Sequence, residues 1–198
     1  KIIMKKLIYQ SLITLSLAGT LGACDDLLDA PTQSSMDESV IFSTPALAEG
    51  AIAGVIQSFC ETNSYRGRYL VYYGINTDCE VHNSLTNTTD DKARLANYNT
   101  NIGNSQMNTD NNAWAKFYEG IERANLAIRG IRTYGNVENS SEMAQILGEL
   151  LTLRAVVYND LLKGWGDVPA RFEPISTETI YLPKSDRDVI YKQLLADL

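Results

Sequence analysis

The chain has 198 residues, 44% hydrophobic and 21% charged, a globular balance that supports one core of about 150 residues or slightly more. Against 24 acidic residues stand 17 basic ones, for a net charge of −7. Lys1, Lys5 and Lys6 sit in an acid-free leader, so the remainder is more acidic still. An acidic body with no basic patch argues against nucleic acid as a partner.

Met4-Lys5-Lys6 opens a basic region, residues 7–18 are mostly apolar, and Leu21-Gly22-Ala23 places small residues before Cys24. That order predicts a secretory signal over residues 1–23. Tyr9, Gln10, Ser11 and Thr14 interrupt the apolar run, leaving it below the roughly 18 residues a membrane span needs. The Leu-Gly-Ala-Cys ending resembles the lipobox of bacterial lipoproteins. This resemblance implies removal of residues 1–23, lipidation of Cys24 (a palmitate-type anchor), and a lipidated tether over residues 24–43. Each buried CH₂ contributes about 0.8 kcal/mol, so more than one acyl chain is needed for a stable anchor.

Thr44 is a candidate N-cap with Pro45 at N1, where a missing N–H costs nothing. Leu47, Ala51, Ile52, Val55, Ile56 and Phe59 then predict a helix through about residue 60. Gly50 and Gly54, four apart, are expected to mark close helix packing. A second helix is read over residues 64–80, with Tyr65, Tyr69, Tyr72 and Tyr73 as an aromatic stripe. Such a stripe can stack on sugar rings, but a core stripe with hydroxyls at its edge is the more frequent outcome. Cys60 and Cys79 would then lie at opposite helix ends, roughly 20 Å apart, too far for a disulfide. Asp78, Cys79, Glu80 and His82 alternate potential ligands, yet match no zinc or calcium loop spacing, so no metal is expected.

Residues 81–111 form a polar, asparagine-rich stretch without a period. Loops this long inside a domain are usually functional or disordered. His82, Asn83, Arg94, Tyr98, Asn99 and Asn101 are the residue types that bind sugars; Arg94, Tyr98, Asn99 and Asn101 are the candidate ligand-binding residues. The competing reading is a solvated loop whose asparagines only make turns.

Trp114, Phe117, Tyr118, Ile121, Ala124, Asn125, Ile128 and Ile131 predict a helix over 112–132 with Asn125 on its apolar face, bonded to a neighbouring backbone. Met143, Ile146, Leu147, Leu150, Leu153, Val157 and Leu161 predict a second over 141–163, about 34 Å long, with Asn139 and Glu142 as a capping box. Gly164, Gly166 and Pro169 stop it. The short connector predicts an antiparallel hairpin. Arg154 lies on or beside the apolar face, and a buried guanidinium needs a partner. Residues 170–184 read as an extended connector. Ser185 with Asp188 is read as a capping box for a last helix over 186–198, with Val189, Ile190, Leu194 and Leu198 on one side. Asp197-Leu198 stands inside that periodic segment, which predicts a longer parent protein, of which residues 44–198 are the N-terminal part of the main domain.

Gly148-Glu149, Leu153-Arg154-Ala155, Tyr158 and the helix ending in Trp165-Gly166-Asp167-Val168-Pro169 resemble the signature of SusD/RagB outer-membrane lipoproteins. Trp114, Tyr118, Ile121 and Ala124-Asn125 are similar to another helix of that family, as are Arg187, Val189, Tyr191 and Asp197-Leu198 to the next. Asp25-Asp26 is similar to the acidic signal that sends Bacteroidetes lipoproteins to the cell surface, although a solvated acidic linker reads the same. The resemblance implies an all-α fold of tetratricopeptide-like helical hairpins with long irregular loops. It implies capture of a nutrient, oligosaccharide or peptide, and delivery to a SusC-like TonB-dependent transporter partner at the outer membrane. It also suggests Asp78 or Glu80 as the acidic partner of Arg154. No nucleophile elbow, phosphate loop, cofactor motif or paired carboxylate stands out. A non-enzymatic binder is therefore expected, with a surface glycan hydrolase as the alternative of another class.

Overall fold

The computed structural model describes residues 37–69, 77–83, 86 and 89–198. The signal, Cys24, Tyr72 and Tyr73 lie outside the described residues. Among the described residues the elements are α1 (Glu38–Ile41), α2 (Pro45–Phe59), α3 (Asp91–Ala96), α4 (Ala113–Tyr134), α5 (Ser141–Trp165), β1 (Val168–Pro169), β2 (Lys184–Ser185) and α6 (Arg187–Asp197). The fold is all-α apart from one two-residue antiparallel pair, in which Val168 faces Ser185 and Pro169 faces Lys184. That pair closes the connector that reads as merely extended in the sequence. No helix among the described residues is long and apolar enough to cross a membrane.

Helices α4 and α5 form the hairpin expected from the sequence, and α2 packs on both. Their ends follow from local chemistry. Pro45 starts α2 behind an extended Thr44. Asn112 caps α4 by accepting from the Ala115 N–H at 3.0 Å. Ser140, not the expected Asn139, caps α5 by accepting from the Met143 N–H at 3.2 Å. Asp186, not Ser185, caps α6 by accepting from the Asp188 N–H at 2.7 Å. Either shift is one residue, and each puts an oxygen where an unpaired helix N–H points. Helix α5 ends at Gly166, whose φ of +75° only glycine adopts at little cost.

The core is one cluster in which Phe117, Ile121, Ile131, Met143, Leu150, Val157, Tyr158, Leu161 and Ile190 are essentially sealed. Burial of each large side chain contributes about 1.5–3 kcal/mol relative to exposure. From α6 Ile190 and Leu194 are buried in it and Tyr191 packs against it; Val189 and the following Leu198 stay exposed. The expected role of Gly50 and Gly54 is corrected, because a Cβ on either would meet open space. Close approach occurs instead on α4. A Cβ on Gly130 would stand 2.1 Å from the Phe42 ring, and one on Gly120 would stand 2.8 Å from Ser58 Oγ. Phe42 therefore docks the α1 segment flat on α4, beside a Glu38–Arg129 ion pair at 2.7 Å.

The helix expected over 64–80 is revised at both ends. Residues 61–67 are turns, helical backbone starts at Arg68, and residues 77–79 bend. Tyr65 and Tyr69 are core rings, not a surface stripe: Tyr65 stands edge-on to Phe59 and Tyr69, and Tyr69 stands edge-on to Phe117 and stacks on Trp165 at 6.0 Å. The Tyr65 hydroxyl donates to the Asp160 carboxylate and the Tyr69 hydroxyl to the Asp160 carbonyl at 2.9 Å. Burial, reinforced by Asp160, pushes the Tyr65 hydroxyl pKa up. Cys60 and Cys79 are both free thiols.

Candidate functional site

Arg154 is 2% exposed at the centre of a polar knot. Its Nη2 pairs with Asp197 Oδ2 at 2.6 Å, and its Nη1 donates to Asn125 Oδ1 at 2.7 Å and to the Phe172 carbonyl at 3.0 Å. Among the described residues Nε has no hydrogen-bond partner, and the guanidinium lies over the Phe172 ring at 5.1 Å. The expected partner Asp78 or Glu80 is thereby corrected to Asp197: both earlier candidates are exposed in the 77–80 bend, whereas α6 lays Asp197 against α5. Asn125 Nδ2 donates to the Arg171 and Glu173 carbonyls, both at 3.1 Å. Tyr158 Oη donates to the Arg171 carbonyl at 2.8 Å and accepts from its N–H at 2.6 Å. Burial pushes the Arg154 pKa down, and Asp197 opposes that shift. Arg154, Asn125 and Tyr158 are buried, so the knot fixes the connector onto the hairpin, while Asp197 also borders a surface groove between α2 and α5.

The irregular stretch is more ordered than its composition suggests. Asp90 caps α3, which buries Ala93, Leu95 and Ala96. The buried Asn104 donates from Nδ2 to the Asp91 carbonyl at 3.0 Å. Asp91 Oδ2 accepts from the Ser105 N–H at 2.8 Å, and bonding from Ser105, with a smaller contribution from Arg94, holds its carboxyl below the usual range. These contacts brace a surface whose outward groups are aromatic and amide.

A cavity of about 560 Å³ opens there, walled by Thr100, Asn101, Ile102, Met107, Asn108, Asn112, Trp114, Gly164 and Trp165. Three elements build it. The loop supplies the amides, the first turn of α4 supplies Trp114, and the last turn of α5 supplies Trp165. The two indoles meet edge to face at 5.5 Å. Asn101 Oδ1 accepts from the Gly103 N–H at 2.9 Å, which leaves its Nδ2 to solvent. Asn108 Nδ2 donates to the Ile102 carbonyl, which leaves its Oδ1 to solvent. Asn112 is committed at both ends, to Ala115 N and to the Thr109 carbonyl.

Of the four residues singled out in the sequence, Asn101 lines this cavity. Arg94, Tyr98 and Asn99 lie just before its Thr100 edge. Arg94 is held by Asp91 at 3.7 Å and by the Asn99 carbonyl at 3.4 Å. Asn99 is exposed, and its N–H bonds Asn97 Oδ1 at 3.1 Å. Tyr98 is 68% exposed at a φ of 57°, an uncommon conformation for a bulky residue. His82 and Asn83 are absent from the cavity wall. The indoles and Asn108 escape a sequence reading because Trp114 reads as a helix-face residue, Trp165 as part of the helix-ending signature and Asn108 as one loop asparagine among many; the signal available was that each tryptophan stands at a helix end.

A second groove of about 490 Å³ lies between α2 and α5, with walls that include Ile52, Ile56, Gly148, Leu151, Leu153 and Leu198. Its wall is mostly aliphatic with no aromatic ring, and Gln145, Glu149, Thr152 and Asp197 supply its polar edge.

Comparison with known proteins bears on both fold and site. Two SusD-like proteins of Formosa agariphila are 27% and 25% identical over 94% and 89% of this chain, covering 35% and 34% of their own length. The chain thus spans about a third of these curated relatives. A crystal structure of a SusD superfamily protein from Bacteroides vulgatus matches at a TM-score of 0.62 and 20% identity, over 79% of this chain and 34% of that one. Surface glycan-binding protein A from Bacteroides uniformis matches at 0.54 and 20%, over 78% and 33%. At such identities these likenesses establish the shared fold. A family model described as SusD-like, "Starch-binding associating with outer membrane", matches residues 26–198, so the chain belongs to the SusD-like family.

Proposed function

We propose that this chain is the N-terminal part of a lipid-anchored outer-membrane protein that captures a glycan and passes it to a SusC-like TonB-dependent transporter. The cavity between Trp114, Trp165 and the asparagine loop carries the reading. Indole faces stack on the apolar faces of sugar rings, and amides and hydroxyls satisfy ring hydroxyls. Exposed Tyr98, just after the short helix α3 and two residues before Thr100 of the wall, offers a further ring to a ligand on this loop. The relatives support the same reading, since one structural neighbour is named for surface glycan binding. Lipidation at Cys24 and exterior orientation rest on the Leu-Gly-Ala-Cys ending and Asp25-Asp26. On this reading the protein captures its ligand without chemistry, as the SusD-like family membership supports.

The test is a glycan and peptide binding screen on the full-length open reading frame begun after Cys24, with the products analysed. Binding with intact products supports capture, and weakening in Tyr98→Ala or Asn101→Ala places the ligand at this loop. Cleaved products would end the non-enzymatic reading. A response to peptides alone would replace the glycan with a peptide.

A further inference from the structure

We infer that the cavity selects an uncharged, hydroxyl-rich saccharide and discriminates against uronate, sulfated and amino sugars; this rests on the glycan-capture reading above. All nine lining residues are uncharged. The atoms left to solvent are of mixed sense: Asn101 Nδ2 donates, Asn108 Oδ1 accepts, and the Thr100 hydroxyl does either. A sugar hydroxyl both donates and accepts, so it matches such a set. A carboxylate or sulfate accepts only, and would face the Asn108 oxygen without a compensating cation. An ammonium donates only, and would face the Asn101 amide hydrogens.

The nearby cations are already engaged. Arg94 is held by Asp91, Lys116 pairs with Glu119 at 2.7 Å, and Arg68 donates from Nη1 to the Thr109 hydroxyl. Lys163 precedes Gly164 and does not line the wall, and neither does the exposed Asp110 between Asn108 and Asn112. The wider field agrees, because a chain of net charge −7 repels polyanions before they reach the indoles. Sugar-binding sites for anionic chains need the opposite arrangement, with Arg or Lys forming charge-assisted bonds.

The experiment is calorimetry on the full-length open reading frame begun after Cys24, using neutral hexasaccharides (maltohexaose, cellohexaose and mannohexaose), hexagalacturonate, a sulfated chondroitin hexasaccharide and a chitosan hexamer. The expected result is a neutral hit at least about tenfold tighter than any charged probe, a gap of about 1.4 kcal/mol. Its affinity should be flat between low and high salt, since no ion pair forms. Asn101→Asp keeps the acceptor that the Gly103 N–H needs and turns the free donor into a charged acceptor. It should weaken the neutral hit about tenfold, the order of one ligand hydrogen bond exchanged for a repulsion. Asn108→Lys should admit hexagalacturonate, a gain that a merely structural asparagine would not produce. A charged probe that binds tightest, or neutral binding unmoved by Asn101→Asp, overturns the inference and leaves glycan capture standing. Silence from every saccharide overturns both.

Discussion

The α4–α5 hairpin and the 81–112 loop are held by opposite means. The hairpin is held by long-range burial: Phe117, Ile121, Leu150 and Leu161 from distant positions share one core, with Arg154 and Asn125 as its polar knot. The described part of the loop is held mainly by short-range bonds, with a few longer ties such as Asn63 Nδ2 to the Asp110 carbonyl at 2.9 Å. Asp90, Asn97, Asn101, Asn104 and Asn112 each turn a side-chain oxygen to a backbone N–H two or three residues on. The two designs fail differently. Removing one core group exposes a whole interface to water, whereas removing one loop bond costs a single local contact. A scaffold of the first kind can therefore carry a loop of the second kind whose residues vary freely.

The sharpest way to break this contrast is to leave Asp197 buried without its partner. Arg154→Ala should destabilise the protein by about 3–5 kcal/mol, read from urea denaturation. Phe117→Ala should follow at about 3–5 kcal/mol through loss of a sealed ring and the cavity left behind. If either variant unfolds no more easily than the parent, the hairpin is not the cooperative unit described here. Gly130→Ala forces a methyl into the Phe42 ring and should cost about 1–3 kcal/mol. Proteolysis near Asp37 should quicken in parallel as α1 lifts from α4.

In the loop the effects should shrink. Asn112→Ala removes the α4 cap and should cost about 1 kcal/mol in the same denaturation assay. Smallest of all is the response to acid at Asp91. Its carboxyl pKa is depressed in the folded state, so its contribution is complete above the ordinary aspartate value near 4 and is lost as pH falls through the lower folded value. The Ser105 amide resonance should report this local opening while the core stays folded. A global transition in that window would show that loop and core are coupled.

The hairpin was legible in the sequence because its information is periodic. Met143, Leu150, Val157 and Leu161 repeat at helical steps, and Trp165-Gly166-Asp167-Val168-Pro169 marks the stop. Asn125 on an apolar face signalled a backbone-bonded amide. The partner of Arg154 was not legible. Asp197 lies 43 residues away, and only the packing of α6 selects it over Asp78 or Glu80. The loop misled in a subtler way. Its composition marked the right stretch, but composition does not say which end of an asparagine bonds the backbone. Asn112 is committed at both ends, whereas Asn101 and Asn108 keep one end each for solvent. Trp114 was hidden on a helix face and Trp165 in a helix-ending signature, and neither context says that a ring also walls a cavity.

The docking of α1 also has a mechanical side. A pull delivered through the chain preceding Asp37 enters the body where Glu38 and Phe42 grip Arg129 and Gly130. Trp114 lies 16 residues back along the same helix, about 24 Å away. Between the two points α4 is packed along α2 and α5. Tension is thus dispersed into stiff packed helices before it reaches the cavity, and a tug at one end need not distort the walls at the other.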